Sequence, residues 1–286
     1  KPSSQPPSTV YWNALAVWGI LRPRLDGRTI SRAQAHRLLK SVGSASDDDG
    51  HPLVSFDPPF VPLPDRPDNW RGGHITLRMA AAEAAFLRER LIQLRRDGGH
   101  ELSLLARLVR TEAAAPSGMW GDEVRAVAGP DQAALARARQ AASLAGVGRA
   151  IYDGLLERVV ETEDKREIST RHRDHLAAII KEHGSIAAKL DVDALETDIG
   201  TLPSKLRAVL RATKDWIASK SQNPTPLFDV YAAAEARKGP RARLALTVNG
   251  RDRRFEWLTD EHGLAGPLHY RWGQVSTLLD DLADAE

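Results

Sequence analysis

The chain has 286 residues, 40 Lys and Arg against 38 Asp and Glu, 42% hydrophobic residues and no cysteine. The length allows one large or two smaller domains with a sizeable core. The composition excludes disulfides, thiol catalysis and thiolate metal sites, and no apolar run reaches the roughly 18 residues that span a bilayer. No signal-peptide pattern is present, so the cytoplasm is the expected compartment. The sequence begins Lys1-Pro2-Ser3-Ser4 without an initiator Met, as a fragment or a processed form would.

From Ser8 to Leu21, Tyr11, Trp12, Leu15 and Trp18 recur at helical spacing, and Pro23 ends the pattern. Ser31 and Gln34 form a capping box for a second helix, Arg32 to Val42. It is expected to bury Leu38 and Leu39 and to display Arg32, His36, Arg37 and Lys40. Residues 1–45 therefore read as an N-terminal helical hairpin, with a weak likeness to a helix-turn-helix. Residues 46–75 read as a Pro-rich strap. Pro52, Pro58, Pro59, Pro62, Pro64 and Pro67 fix an extended backbone, and Phe56, Phe60, Val61 and Trp70 give it apolar groups to pack.

Residues 76–286 read as a helical domain. Thr76 is placed to cap a helix carrying Leu77, Ala80, Ala84, Leu87 and Leu91, and short helices follow at Ser103–Arg110 and Met119–Ala128. Gly129-Pro130-Asp131 opens a long helix from Gln132 to about Val160, with Leu135, Ala138, Ala142, Ala145, Ile151, Leu155 and Val159 inside. Gly146-Val147-Gly148 lies within it. This pair lacks the strand and third glycine of a dinucleotide motif and fits close helix–helix approach. Further helices are expected at Arg171–His183, Leu202–Lys220, Leu227–Arg237 and from Pro267 to about Leu282. The charge run Glu161 to Glu167 reads as a solvated turn or helix end.

The block Arg237 to Arg254 carries seven basic residues against one acid, Asp252. Its net charge is +6, so the rest of the chain carries −4. Asn249-Gly250 between two alternating runs is a β-hairpin signal, which predicts a basic ribbon over residues 241–258. Leu244, Leu246 and Val248 would form its buried face. Arginine forks suit bidentate phosphate contact. Arg241, Arg243, Arg251, Arg253 and Arg254 are thus candidate nucleic-acid-binding residues, extended by Arg271. The competing reading is a structural clasp, in which these charges pair within the protein or with an acidic partner protein.

Catalytic signals are lacking. There is no Gly-x-Ser-x-Gly, no phosphate-binding Gly-x-x-x-x-Gly-Lys, and no carboxylate pair outside the charge runs. His172, His175 and His183 share a helical face, but Arg171 and Arg173 between them oppose a cation. No catalytic residue, metal ligand or cofactor is assigned. The expected fold is mainly α: a multi-helix body with one small β-hairpin near the C-terminus and a Pro-rich extended strap.

Three groups of residues carry a family resemblance. They are Pro2-Ser3-Ser4 with Tyr11-Trp12-Asn13-Ala14-Leu15 and Trp18-Gly19-Ile20; Ile75-Thr76-Leu77 with Glu83 to Arg90 and Ser103 to Ala106; and Tyr270-Arg271-Trp272 before a leucine-rich, acid-ended helix. Ala145 to Arg149 with Ile151, Tyr152 and Leu155 adds a fourth. Together they resemble a bacterial family known as domain of unknown function 6361. The chain lacks that family's earlier Gly-Thr-Ser-type loop and Thr-Arg-Ala-Arg-Tyr-like strand, so it looks like the later portion of such a protein. The resemblance implies no defined activity. It implies a setting near mobile or defence-related islands, and with it a non-enzymatic, nucleic-acid-associated or scaffold component of a bacterial complex, with phage defence as one context. The alternative is a protein-interaction subunit docking its basic hairpin on an acidic partner, and third comes an enzyme whose chemistry lies outside this portion. DNA or RNA and protein partners are expected, a membrane is not.

Overall fold

A computed structural model describes residues 11–24, 26–41, 49, 58–65, 78–96, 98–259 and 262–285. The chain divides into two compact units, one of residues 1–117 with 273–286 and the other of residues 118–272.

In the first unit, α1 (Trp12–Val17) and α2 (Arg32–Ser41) flank a small core of Leu21, Ile30 and Ala35, covered by Trp12, Leu15, Ala16 and Phe60. The capping box at the start of α2 is present: Ser31 N–H donates to Gln34 Oε1 at 3.1 Å and Gln34 N–H to Ser31 Oγ at 3.3 Å. Leu38 and Leu39, however, are exposed, and Ala35 is the buried residue of α2. Ala35 packs with Leu21 and Ile30 in that core.

Besides the single residue Asp49, the described part of the Pro-rich stretch is residues 58–65. They run beside the segment after α1, where Arg22 N–H donates to the Pro59 carbonyl at 2.9 Å and Val61 N–H to that of Ile20 at 3.0 Å. The remainder, with Pro52, Phe56, Pro67 and Trp70, lies outside the described residues, as does Thr76. Helix α3 (Ala81–Leu91) begins where Glu83 reaches back to the Ala80 N–H at 2.9 Å. Helix α4 (Leu104–Val109) begins at Ser103, whose Oγ accepts from Ala106 N–H. The last helix of the chain, Trp272–Ala283, supplies the Leu282 carbonyl to Arg88 at 2.8 Å and the Asp280 carboxylate to Ala115 N–H at 2.8 Å. One acid of this terminal helix is therefore spent inside the first unit.

The second unit is built on the 31-residue α6 (Gln132–Thr162), entered through α5 (Asp122–Val127) and a turn of 3-10 helix at Gly129–Asp131. Against α6 lie α7 (Arg171–Ala187), α8 (Val192–Ile199) and α9 (Ser204–Ala218); α10 (Phe228–Glu235) packs on α9 and meets α6 at Gly148 and Tyr152. Leu144, Val147, Ile151, Leu155, Leu156, Leu176, Ile179, Leu190 and Trp216 form the core. Gly146 is needed for close approach, since a Cβ there would lie 2.8 Å from the Pro267 nitrogen. Its neighbour is thus the extended Gly266-Pro267 backbone, and Gly148 is the glycine that faces a helix, at the Tyr231 hydroxyl of α10. Helix α8 has no counterpart among the expected elements. Asp191 caps it, accepting from the N–H groups of Asp193 and Ala194 at 3.0 Å.

The predicted hairpin is absent. Residues 248–259 form a helix, α11 (Val248–Thr259), and the terminal helix, from here α12 (Trp272–Ala283), follows it. Asn249-Gly250 stands in the first turn of α11. The type I′ hairpin turn that Asn-Gly favours needs positive φ at both residues, and neither is among the residues with positive φ. Gly250 serves a different need: a Cβ on it would overlap the Ala245 carbonyl oxygen. Among the described residues the β-structure amounts to three isolated bridges, Leu21 with Phe60, Pro23 with Thr29 and Arg95 with Leu102.

Candidate nucleic-acid interface

After α10 the chain makes a 3-10 turn, Ala236–Arg241, broken at Gly239 (φ 56°, ψ −127°). Left-handed φ at this glycine followed by Pro240 ends the helical run. The chain then folds back over its own origin. Glu235, at the end of α10, is buried, and its carboxylate accepts the Tyr152 hydroxyl at 2.5 Å, Leu244 N–H at 2.8 Å and Lys238 Nζ at 3.1 Å. Burial acts to raise the Glu235 pKa, and those donors outweigh it and hold the carboxyl below its ordinary value. Burial and the Glu235 charge together push the Tyr152 hydroxyl up.

Arg254 closes the other end. It is 2% exposed. Its Nε and Nη2 grip the two oxygens of Asp164 at 2.7 and 2.8 Å, and Nη1 donates to the carbonyls of Arg243 at 2.5 Å and Ala245 at 2.9 Å. Asp164 follows the C-terminus of α6, and the Arg254 hydrogen bonds hold its carboxyl below the usual carboxylate range. One planar guanidinium so fastens the loop before α11 and α11 itself to the end of the longest helix. Leu244 and Trp257 enter the core on either side of this fastening.

The six expected phosphate-binding arginines therefore part company. Arg254 is interior and fully engaged. Arg241 and Arg251 are exposed, and Arg251 lies near enough to Asp164 to favour its charge. Arg253 is half-buried and pairs with Glu256 at 2.6 Å within the same helix. Arg243 is half-buried and acts on Tyr152 and Asp153. Arg271 is exposed, some residues beyond α11, with φ 61°.

A further cation joins this surface from outside the segment. The guanidinium of Arg166 stacks 4.6 Å over the Phe255 ring, and both residues are exposed. Arg166 sits in the charge run read as a solvated turn, and only the fold brings it beside α11. Leu246, Val248 and Leu258 are also exposed around this helix.

The histidines of α7 have separate partners. His172 Nδ1 is 3.9 Å from Asp153, with its ring 5.3 Å from that of Trp257; His175 Nε2 donates to the Ala265 carbonyl at 2.7 Å; His183 meets Glu182 at 3.4 Å. Among the described residues no group of three or more His, Asp or Glu is placed to hold a metal ion. Asp153 is raised above its ordinary pKa by burial, opposed by His172 and Arg149. Glu157 is buried and accepts from the N–H groups of His172 and Arg173 at 2.8 and 3.0 Å, so it caps the N-terminus of α7. Its position within a long helix gives no sequence signal for that role.

Among the described residues no helix is long and apolar enough to cross a membrane. Comparison with known protein families, with curated proteins and with solved structures found no match.

Proposed function

We propose that the chain is a non-catalytic component of a bacterial cytoplasmic complex that contacts the phosphate backbone of nucleic acid through Arg241, Arg243, Arg251, Arg253 and Arg271. The observation that carries the reading is the Arg254 fastening to Asp164 and two carbonyls. It immobilises a cation-rich segment, so that exposed arginines need not be ordered anew on binding. Arg254 thus belongs to the scaffold of the site rather than to its contact surface. The Arg166–Phe255 stack adds a planar cation and an aromatic face of the kind that stacks on unpaired bases. The resemblance to domain of unknown function 6361 supports the bacterial setting and a context in phage defence.

Fluorescence anisotropy with short duplex and single-stranded DNA and RNA across a salt series tests the reading. The logarithm of affinity should fall linearly with the logarithm of salt concentration. Arg241→Ala and Arg251→Ala should each reduce the slope by about one. Absence of binding to every strand at low salt refutes it.

A second reading rests on exposed Leu246, Val248 and Phe255 among the same cations: an acidic amphipathic protein segment docks here. It predicts that Phe255→Ala weakens a protein complex while nucleic acid binds nowhere.

A further inference from the structure

On the second unit, Trp120, the α6 face of Leu135, Ala136 and Arg139, Ile186 near the end of α7 and Lys189 just beyond it line an open cavity of about 350 Å³. That volume falls in the range of small-molecule sites. Residues 135, 136 and 139 share one face of α6 by the three- and four-residue spacing of a helix. The walls are hydrocarbon and indole, while the polar groups at the rim are cationic or amide. No carboxylate lines the cavity.

Of the three cations at the rim, Arg125 is engaged by Asp122 one helical turn before it. Neither Arg139 nor Lys189 forms an ion pair with a described residue. The cavity thus combines an apolar interior with two positive charges that no described acid neutralises.

Trp120 is held in place from behind. Its ring meets that of Tyr270 edge-on, with centroids 6.0 Å apart and planes at 86°, and the Tyr270 hydroxyl donates to the Ala138 carbonyl at 3.3 Å. Tyr270 and Arg271 both take left-handed backbone conformations, φ 44° and 61°. Two successive non-glycine residues in that region are strained, and strain of this kind gathers at ligand sites. Tyr270, one of the two, is the residue whose ring meets the indole.

We propose that this cavity binds a small amphipathic anion: a flat apolar body lying against Trp120, Leu135 and Ile186, with one carboxylate, sulfonate or phosphate group set between Arg139 and Lys189. A polyphosphate does not fit, because the interior offers no polar groups to receive it. A neutral hydrocarbon leaves the two cations unused. The site is independent of the cationic segment proposed above and stands or falls separately.

Two dyes of matched body separate charge from hydrophobicity: 8-anilinonaphthalene-1-sulfonate and its neutral counterpart N-phenyl-1-naphthylamine. The full chain is titrated with each and dye fluorescence is read. The sulfonate should bind saturably at one site and more tightly than the neutral dye. Arg139→Gln with Lys189→Gln should reduce sulfonate affinity about tenfold, toward that of the neutral dye. Ala136→Phe, at an exposed helix position, should fill the cavity and abolish binding of both dyes with the thermal midpoint unchanged. Equal affinity for the two dyes, no saturable sulfonate binding, or full binding by the Ala136→Phe protein would each overturn the proposal. If the Arg139→Gln, Lys189→Gln protein unfolds, the dye comparison and Ala136→Phe still decide.

Discussion

Along α6 and α7 the side chains turned inward are mostly hydrocarbon, among them Leu144, Val147, Ile151, Leu155, Leu156, Leu176 and Ile179, with Glu157 the one buried charge among the described residues of these helices. In the stretch from Glu235 to Thr259 the corresponding interior positions include a glutamate and an arginine, Glu235 and Arg254. The first region is held mainly by non-directional burial of hydrocarbon, spread over many residues, with the Glu157 cap of α7 as its directional exception. The second is held by a few directional bonds, each depending on its partner's position. Loss of one leucine leaves a cavity that neighbours partly fill, whereas loss of one partner in the second region strands a buried charge.

The sharpest way to break this comparison is Arg254→Ala. It leaves Asp164 and two carbonyls without their donor and should cost about 3–5 kcal/mol, the usual penalty for breaking a buried ion pair. Hydrogen exchange should show the loss concentrated in residues 242–259. Leu156→Ala, at a fully buried position of α6, should cost about 2–5 kcal/mol, with protection reduced throughout the second unit. If the two variants give the same exchange pattern, the regions are not held differently.

Gly250→Ala is next. The new methyl would overlap the Ala245 carbonyl, which Arg254 fixes. Overpacking of this kind costs about 1–3 kcal/mol, read as a lower midpoint in chemical denaturation. Double substitution with Arg254→Ala should cost less than the sum, because the loop is then free to move away.

The same contrast explains what could be read from residues alone. The long helix was legible because its apolar residues recur at helical spacing: of those expected inside, Leu135, Ala142, Ile151, Leu155 and Val159 are buried, and Ala138 and Ala145 are partly buried. So were the Ser31–Gln34 capping box and the Gly129-Pro130-Asp131 start. These signals are local. Asn249-Gly250 misled because a glycine pair signal is ambiguous between a left-handed turn and a close contact, and the contact is made by Ala245 in a loop whose course depends on Arg254. Of the candidate site, the positive charge of the segment was legible and the allocation was not. Asp164 and Arg254 are 90 residues apart, and nothing in either neighbourhood marks them as partners. Helix α8 leaves little trace in the sequence although Asp191 and Gly200 bound it, because its eight residues hold too short an apolar period.

Acid should loosen the second region before the first. Asp164 and Glu235 both have pKa values below their ordinary ones. Each therefore contributes stability in full above the ordinary carboxylate range, near pH 4, and loses it as pH falls through the lowered native value. Asp153, raised by burial, has the opposite sign: its ionisation opposes folding as pH rises from its ordinary value through the raised one. Denaturation midpoints measured between about pH 2 and 5 should fall toward acid, and Asp164→Asn should flatten that dependence. An unchanged slope would mean that the Arg254–Asp164 bonds contribute little.

The smallest expected effect bears directly on helix against ribbon. Val248 is the first residue of α11 and is 77% exposed. Proline suits the first position of a helix, where its missing N–H would have had no intrahelical acceptor and its φ is already helical. Val248→Pro should therefore change stability by no more than about 0.5 kcal/mol. In a hairpin the same substitution would stand in a strand beside the turn, remove a ladder hydrogen bond and destabilise the ribbon. Thermal denaturation of this one variant, with Arg254→Ala beside it, thus separates a segment anchored by its buried arginine from one organised by strand pairing.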